Sequence, residues 1–133
     1  MADAYCNLAM LQSKRGETAK AFDSFTHCLK HNPRHFEAHY NLANLHFDID
    51  GHHLAQTHFQ LAAQIDPKFP NLHFNLALAL SVNNEIHAAI AVIKTYQSLV
   101  PPEEAGKAND LLANLRQTLM NPATPSLLRF DPA

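Results

Sequence analysis

Two cysteines among 133 residues, Cys6 and Cys28, are too few and too isolated for a disulfide framework or a thiolate metal site. Both stand where a small apolar residue would serve, and free cysteine often behaves as one, so a reducing, cytoplasmic compartment is expected. Charge is also scarce: 17% of residues are charged and the net charge is -2, which leaves no basic field to hold a polyanion. Nucleic acid is therefore not an expected partner. No apolar run approaches the roughly 18 to 20 residues that a membrane span needs. The opening Met-Ala-Asp-Ala-Tyr lacks the basic patch and apolar core of a secretion signal. Phosphate loops, Gly-rich fingerprints and a Ser or Cys with a base and an orienting partner are missing too. The chain reads as no enzyme, with no cofactor.

What the sequence does contain is a period. Prolines stand at 33, 67 and 101, always 34 apart, and Ala21, Ala55 and Ala89 keep the same interval. So do Leu8, Leu42 and Leu76, then Ala9, Ala43 and Ala77, then Asn7, Asn41 and Asn75, and finally Phe25, Phe59 and Ile93. Six columns in one register imply a solenoid of repeated units. Within each unit the apolar spacing is three to four, which is helical.

These columns resemble the tetratricopeptide repeat: an aromatic, then Leu-Gly, then Ala, Phe and Pro. The first copy maps as Tyr5, Leu8-Ala9, Ala21, Phe25 and Pro33, and the second as His39, Leu42-Ala43, Ala55, Phe59 and Pro67. The third maps as His73, Leu76-Ala77, Ala89, Ile93 and Pro101. Histidine twice replaces the first aromatic, a departure from the pattern. The resemblance implies an all-α, right-handed superhelical solenoid of three helical hairpins plus a C-terminal capping helix.

First helices are predicted near 2–14, 36–48 and 70–82, and second helices near 18–31, 52–65 and 86–99. Breaks fall at Gly16, Asp50-Gly51 and Asn83-Asn84, and each proline ends a second helix. Pro101-Pro102-Glu103-Glu104 should open the capping helix, whose apolar side is Ala108, Leu111, Leu112, Leu115 and Leu119. The expected organisation is a repeat domain over 1–120, with repeats at about 2–35, 36–69 and 70–103 and a cap at about 102–120. An extended, proline-containing tail over 121–133 follows. The first helix starts without a polar N-cap, as in an array that continues upstream.

By the family's geometry the first helices line a concave groove. It would present Cys6, Asn7 and Met10, with Asp3, Ser13 and Lys14, from the first unit. The second unit would offer Tyr40, Asn41, Asn44 and Phe47, with Glu37 and Asp48; the third would offer Asn71, Phe74, Asn75 and Leu78, with Ser81 and Val82. One row, Cys6, Tyr40, Phe74, runs from apolar to aromatic. Another is Asn7, Asn41, Asn75. An amide side chain carries a donor and an acceptor, matching one backbone N–H and C=O of an extended peptide. That row is similar to the asparagine ladder of O-linked N-acetylglucosamine transferases. The competing reading is an asparagine that bonds within its own hairpin.

Repeats that grip acidic chaperone tails use two lysines, an arginine and two asparagines. Those places are Cys6, Met10, Asn41, Asn71 and Asn75 here, of which only Asn41 agrees. A carboxylate would enter without a cation, so chaperone C-terminal tails are not expected. Ten histidines raise the question of metal: His27 and His31 stand four apart, and His52 and His53 lie near Asp48 and Asp50. Neither group completes a known ligand set, and surface or interhelical histidines are expected instead. The expected function is a scaffold or adaptor that binds an extended or helical peptide segment of another protein in its groove. Two alternatives stand beside it. One is a substrate-presenting repeat region of a larger enzyme such as a glycosyltransferase. The other is a self-assembling homo-oligomer, with the Leu127–Phe130 tail of one copy in the groove of the next.

Overall fold

A computed structural model of the protein describes residues 1–120, and the Leu127–Phe130 segment lies outside them. The elements are α1 (Ala2–Lys14), α2 (Thr18–His31), α3 (Phe36–Asp48), α4 (His52–Ile65), α5 (Pro70–Val82), α6 (Ile86–Leu99), a 3-10 turn (Pro102–Glu104) and α7 (Gly106–Met120). All six repeat helices begin and end where the sequence pattern places them.

The reason is punctuation. Gly16, Asp50 and Asn84 stand at the same place in successive hairpins, and all three have positive φ, 77°, 65° and 64°. Gly, Asp and Asn are the residue types that accept this left-handed conformation most readily. Each reverses the chain after a first helix, and the following amide then bonds back into it: Glu17 N to Gln12 O at 2.9 Å, Gly51 N to His46 O at 2.7 Å, Glu85 N to Leu80 O at 2.8 Å. This is the closing bond of a Schellman-type cap. The second helices stop at Asn32, Asp66 and Val100, each extended, because the residue before a proline is pushed out of the helical region.

The described chain divides into two compact units, Met1–Pro67 and a second beginning at Lys68. In the first unit α1 packs on α2 and α3 on α4, while α2 and α1 also touch α3. Its core holds Ala9, Ala21, Phe25, Cys28, Ala38, Leu42 and Leu45. Fully buried Ala9 and Ala43, with Ala21 and Ala55, let paired helices approach without side chains between them, while Phe25 and Phe59 fill the space beyond. His39 takes the aromatic place and is buried, its Nε2 2.8 Å from the carbonyl of Pro33.

In the second unit α5 packs on α6 and α6 on α7. Ala77, Ala89 and Ile93 repeat the pattern, His73 is again buried, and Ala108, Leu111, Leu112 and Leu115 bury the apolar side of α7. The expected cap beginning at 102 is divided. Pro101 and Pro102 set up a 3-10 turn closed by Glu104 N to Pro101 O at 2.9 Å, and the α-helix begins only at Gly106. The two adjacent prolines fix φ near a value that both helix types share, so the chain can take the tighter turn first and enter the α-helix at Gly106.

Candidate peptide-binding cleft

In the first unit a cleft of about 130 Å³ opens between α1 and α3. Met10, Ser13 and Lys14 supply one wall at helical spacing, and Asn41, Asn44, Leu45 and Asp48 supply the other. Phe25 of α2 reaches the same space. Phe25 and Leu45 are buried and form an apolar floor. Met10, Asn41 and Asn44 are half-buried, and the oppositely charged Lys14 and Asp48, both exposed, stand on the last turns of their helices. The cleft thus combines apolar contact with amides and one charge of each sign.

Among the described residues no side-chain hydrogen bond reaches the amide of Asn41. Its atoms are also not among the buried polar atoms left unpaired, so the amide faces water. An asparagine that stapled its own hairpin would be bonded, and among the described residues this one is not. Asn7 is exposed on α1 outside the cleft. Asn71, exposed, and Asn75, Phe74 and Leu78, half-buried, lie on α5 in the second unit.

The aromatic row points elsewhere. Cys6 is 1% exposed, so it is core and no ligand in a groove can touch it. Burial, with the neighbouring Cys28 thiol, pushes its own thiol up to about 12, and burial raises Cys28 as well. Tyr40 meets Phe59 edge-on at 6.0 Å and Phe74 meets Tyr96 at 5.4 Å. This column faces the second helix of its own hairpin. Phe47 likewise packs edge-on against His52 at 4.8 Å, at the turn into α4.

The paired histidines His27 and His31 are exposed on α2 and stack on Tyr5 of α1, with ring centroids 5.1 and 5.4 Å away. A second cavity, of about 460 Å³, lies on the other side of the unit between Phe22 and Leu29 of α2, Leu42 and His46 of α3, and His58 of α4. His39 Nδ1 and His58 Nδ1 are 3.1 Å apart, and His46 stacks on His58 at 5.6 Å. Burial, then the charges of His39 and His46, lower the His58 pKa to about 4, and burial lowers that of His46. The sequence marks only His39, by its place in the aromatic column; that His46 of α3 and His58 of α4 join it follows from the packing of the two helices.

Among the described residues no helix is long and apolar enough to cross a membrane. No curated protein sequence matches the chain. The tetratricopeptide repeat family model matches residues 2–35. Several solved structures share the fold across most of the chain. The Yersinia enterocolitica type III secretion chaperone SycD, in complex with a peptide of the translocator YopD, is 18% identical with a TM-score of 0.79, covering 88% of this chain and 93% of that one. The TPR2B domain of yeast Sti1, in its pHsp70 complex, is 16% identical with a TM-score of 0.76, covering 88% and 97%. A Thermobaculum terrenum O-GlcNAc transferase is 21% identical with a TM-score of 0.71, covering 86% of this chain and 22% of that one. The chain thus has the all-helical fold of tetratricopeptide repeat proteins, and its residues 2–35 match the model of that repeat.

Proposed function

We propose that the protein is an interaction scaffold that holds an extended peptide segment of another protein in the cleft between α1 and α3. The observation that carries this reading is Asn41, an amide at an apolar-floored cleft with no side-chain hydrogen bond among the described residues. Its N–H and C=O would pair with one peptide unit of the guest. The Phe25 and Leu45 floor would take an apolar side chain, and Met10 would adapt to its shape. Lys14 and Asp48 would favour guests carrying charges of both signs at matching spacing, and disfavour a purely acidic tail. The SycD and Sti1 structures, both complexes, support the same use of the fold. Binding, with no chemical step, is the role the cleft's residues fit.

Peptides selected on the protein from a random-sequence library test this. Asn41→Ala should weaken the selected peptides roughly 5- to 10-fold, the worth of one or two net hydrogen bonds of about 1 kcal/mol, at unchanged helicity. Met10→Glu should weaken them further. Peptides that bind both variants as well as the parent would refute the assignment of the cleft.

A further inference from the structure

We propose that Cys6, Cys28 and His35 form a binding site for one zinc-class divalent cation, with Asp3 orienting the histidine. Cys6 comes from α1, Cys28 from the last turn of α2, and His35 is the residue that caps the start of α3. Three helix ends converge there, and the three ligating atoms all lie within 4.8 Å of one another. Tetrahedral zinc with thiolate and imidazole ligands needs separations of about 3.5 to 3.8 Å, a closure of roughly 1 Å that side-chain rotation can supply. Cys6, Cys28 and His35 are 1%, 0% and 8% exposed, so the ion would sit inside the unit.

Charge selects the class of ion. Two thiolates and a dipositive cation sum to zero, whereas a monovalent soft cation would leave net negative charge buried near Asp3 and Glu37. Thiolate and imidazole donors exclude magnesium and calcium, which take oxygen. His35 Nε2 lies 2.7 Å from Asp3 Oδ1, while its Nδ1 accepts the Ala38 amide at 3.2 Å. A neutral imidazole has one N–H. With that proton directed to Asp3, the Nδ1 lone pair is the one offered to the metal, and the helix cap gives way to coordination. A carboxylate behind a ligating histidine is the usual device for fixing its tautomer. The Asp3 side chain is 89% exposed, so this edge is open to water as the fourth ligand. The thiol protons leave to solvent as the ion binds.

The repeats supply their own controls. In the 34-residue register the place of Cys28 is taken by Ala62, which is fully buried, so Cys28→Ala fits the same packing. Asparagine is a good N-cap, so His35→Asn preserves the start of α3. The full chain, reduced and metal-free, is titrated with Co²⁺ and then Zn²⁺. One equivalent of cobalt should give thiolate-to-metal charge-transfer absorption with d–d bands of tetrahedral intensity, zinc should displace it, and zinc should raise the Tm. Cys28→Ala and His35→Asn should each weaken binding by more than about 100-fold, and Asp3→Asn about 10-fold, with circular dichroism unchanged. His27→Gln with His31→Gln should leave the titration as it was. Absence of the charge-transfer band, its survival in Cys28→Ala, a loss under 10-fold in His35→Asn, or its disappearance with the His27 and His31 changes would each overturn the site.

Discussion

Replacing His58 with glutamine should remove most of the acid sensitivity of the first unit. His58 has a folded-state pKa of about 4, held down by burial and by His39 and His46, against about 6.5 for an unfolded chain. The unfolded chain therefore takes up the proton first, and stability present above about pH 6.5 is lost as the pH falls towards 4. At about 1.4 kcal/mol per pH unit the whole effect would be roughly 3 kcal/mol. His58 is only half-buried, and screening by water reduces this to about 1 to 2 kcal/mol. Between about pH 7.5 and 5.5 the unfolded chain gains most of its proton and the folded chain almost none, so about 1 kcal/mol is lost in that interval, or roughly 3 to 6 °C in Tm. Glutamine can still donate to His39 Nδ1 but does not titrate. Thermal melts at the two pH values measure the difference. If His58→Gln loses as many degrees as the parent, the acid sensitivity lies elsewhere and the buried histidine cluster is not its source.

Other substitutions probe the packing. Ala55→Leu should destabilise the second hairpin by about 1 to 3 kcal/mol, since Ala55 is fully buried where α3 meets α4; an unchanged Tm would contradict the register. Leu42→Ala should cost about 2 to 5 kcal/mol, while Leu8→Ala in the same column should cost under about 1, because Leu42 is 5% exposed and Leu8 45%. Equal losses in denaturant melts would count against the packing of α3 on α2. Asn84→Ala should lose about 1 kcal/mol at its left-handed φ of 64°, whereas Asn84→Gly should not. Chemical denaturation of the two variants side by side distinguishes them.

The helices were legible because the sequence marks both of their ends. Gly16, Asp50 and Asn84 accept positive φ, and Pro33, Pro67 and Pro101 cannot extend a helix, so every boundary carries its own steric signal. The split at Ala105 was not legible, since Pro-Pro-Glu-Glu suits a helix start as well as a 3-10 turn. Met10, Asn41 and Asn44 share a cleft because a helix fixes which residues lie on one face, and register alone conveys that much. Register cannot say how far a side chain leans, and Cys6 leans inward towards Cys28. The Cys6, Cys28, His35 cluster draws on α1, α2 and the start of α3, and the His39, His46, His58 stack on α3 and α4, so spacing within a single helix announces neither in full.

The most direct test of peptide holding is an amide ¹H–¹⁵N map of the protein titrated with a library-selected peptide. Binding in the cleft predicts shifts concentrated at Met10, Ser13, Lys14, Asn41, Asn44 and Asp48, together with the side-chain amide of Asn41. The same titration of Asn41→Ala should need several-fold more peptide. Shifts gathered instead around Phe22, Thr26 and Lys30 on the other side of the unit would contradict the cleft as the site, as would an Asn41 amide that does not move at saturation.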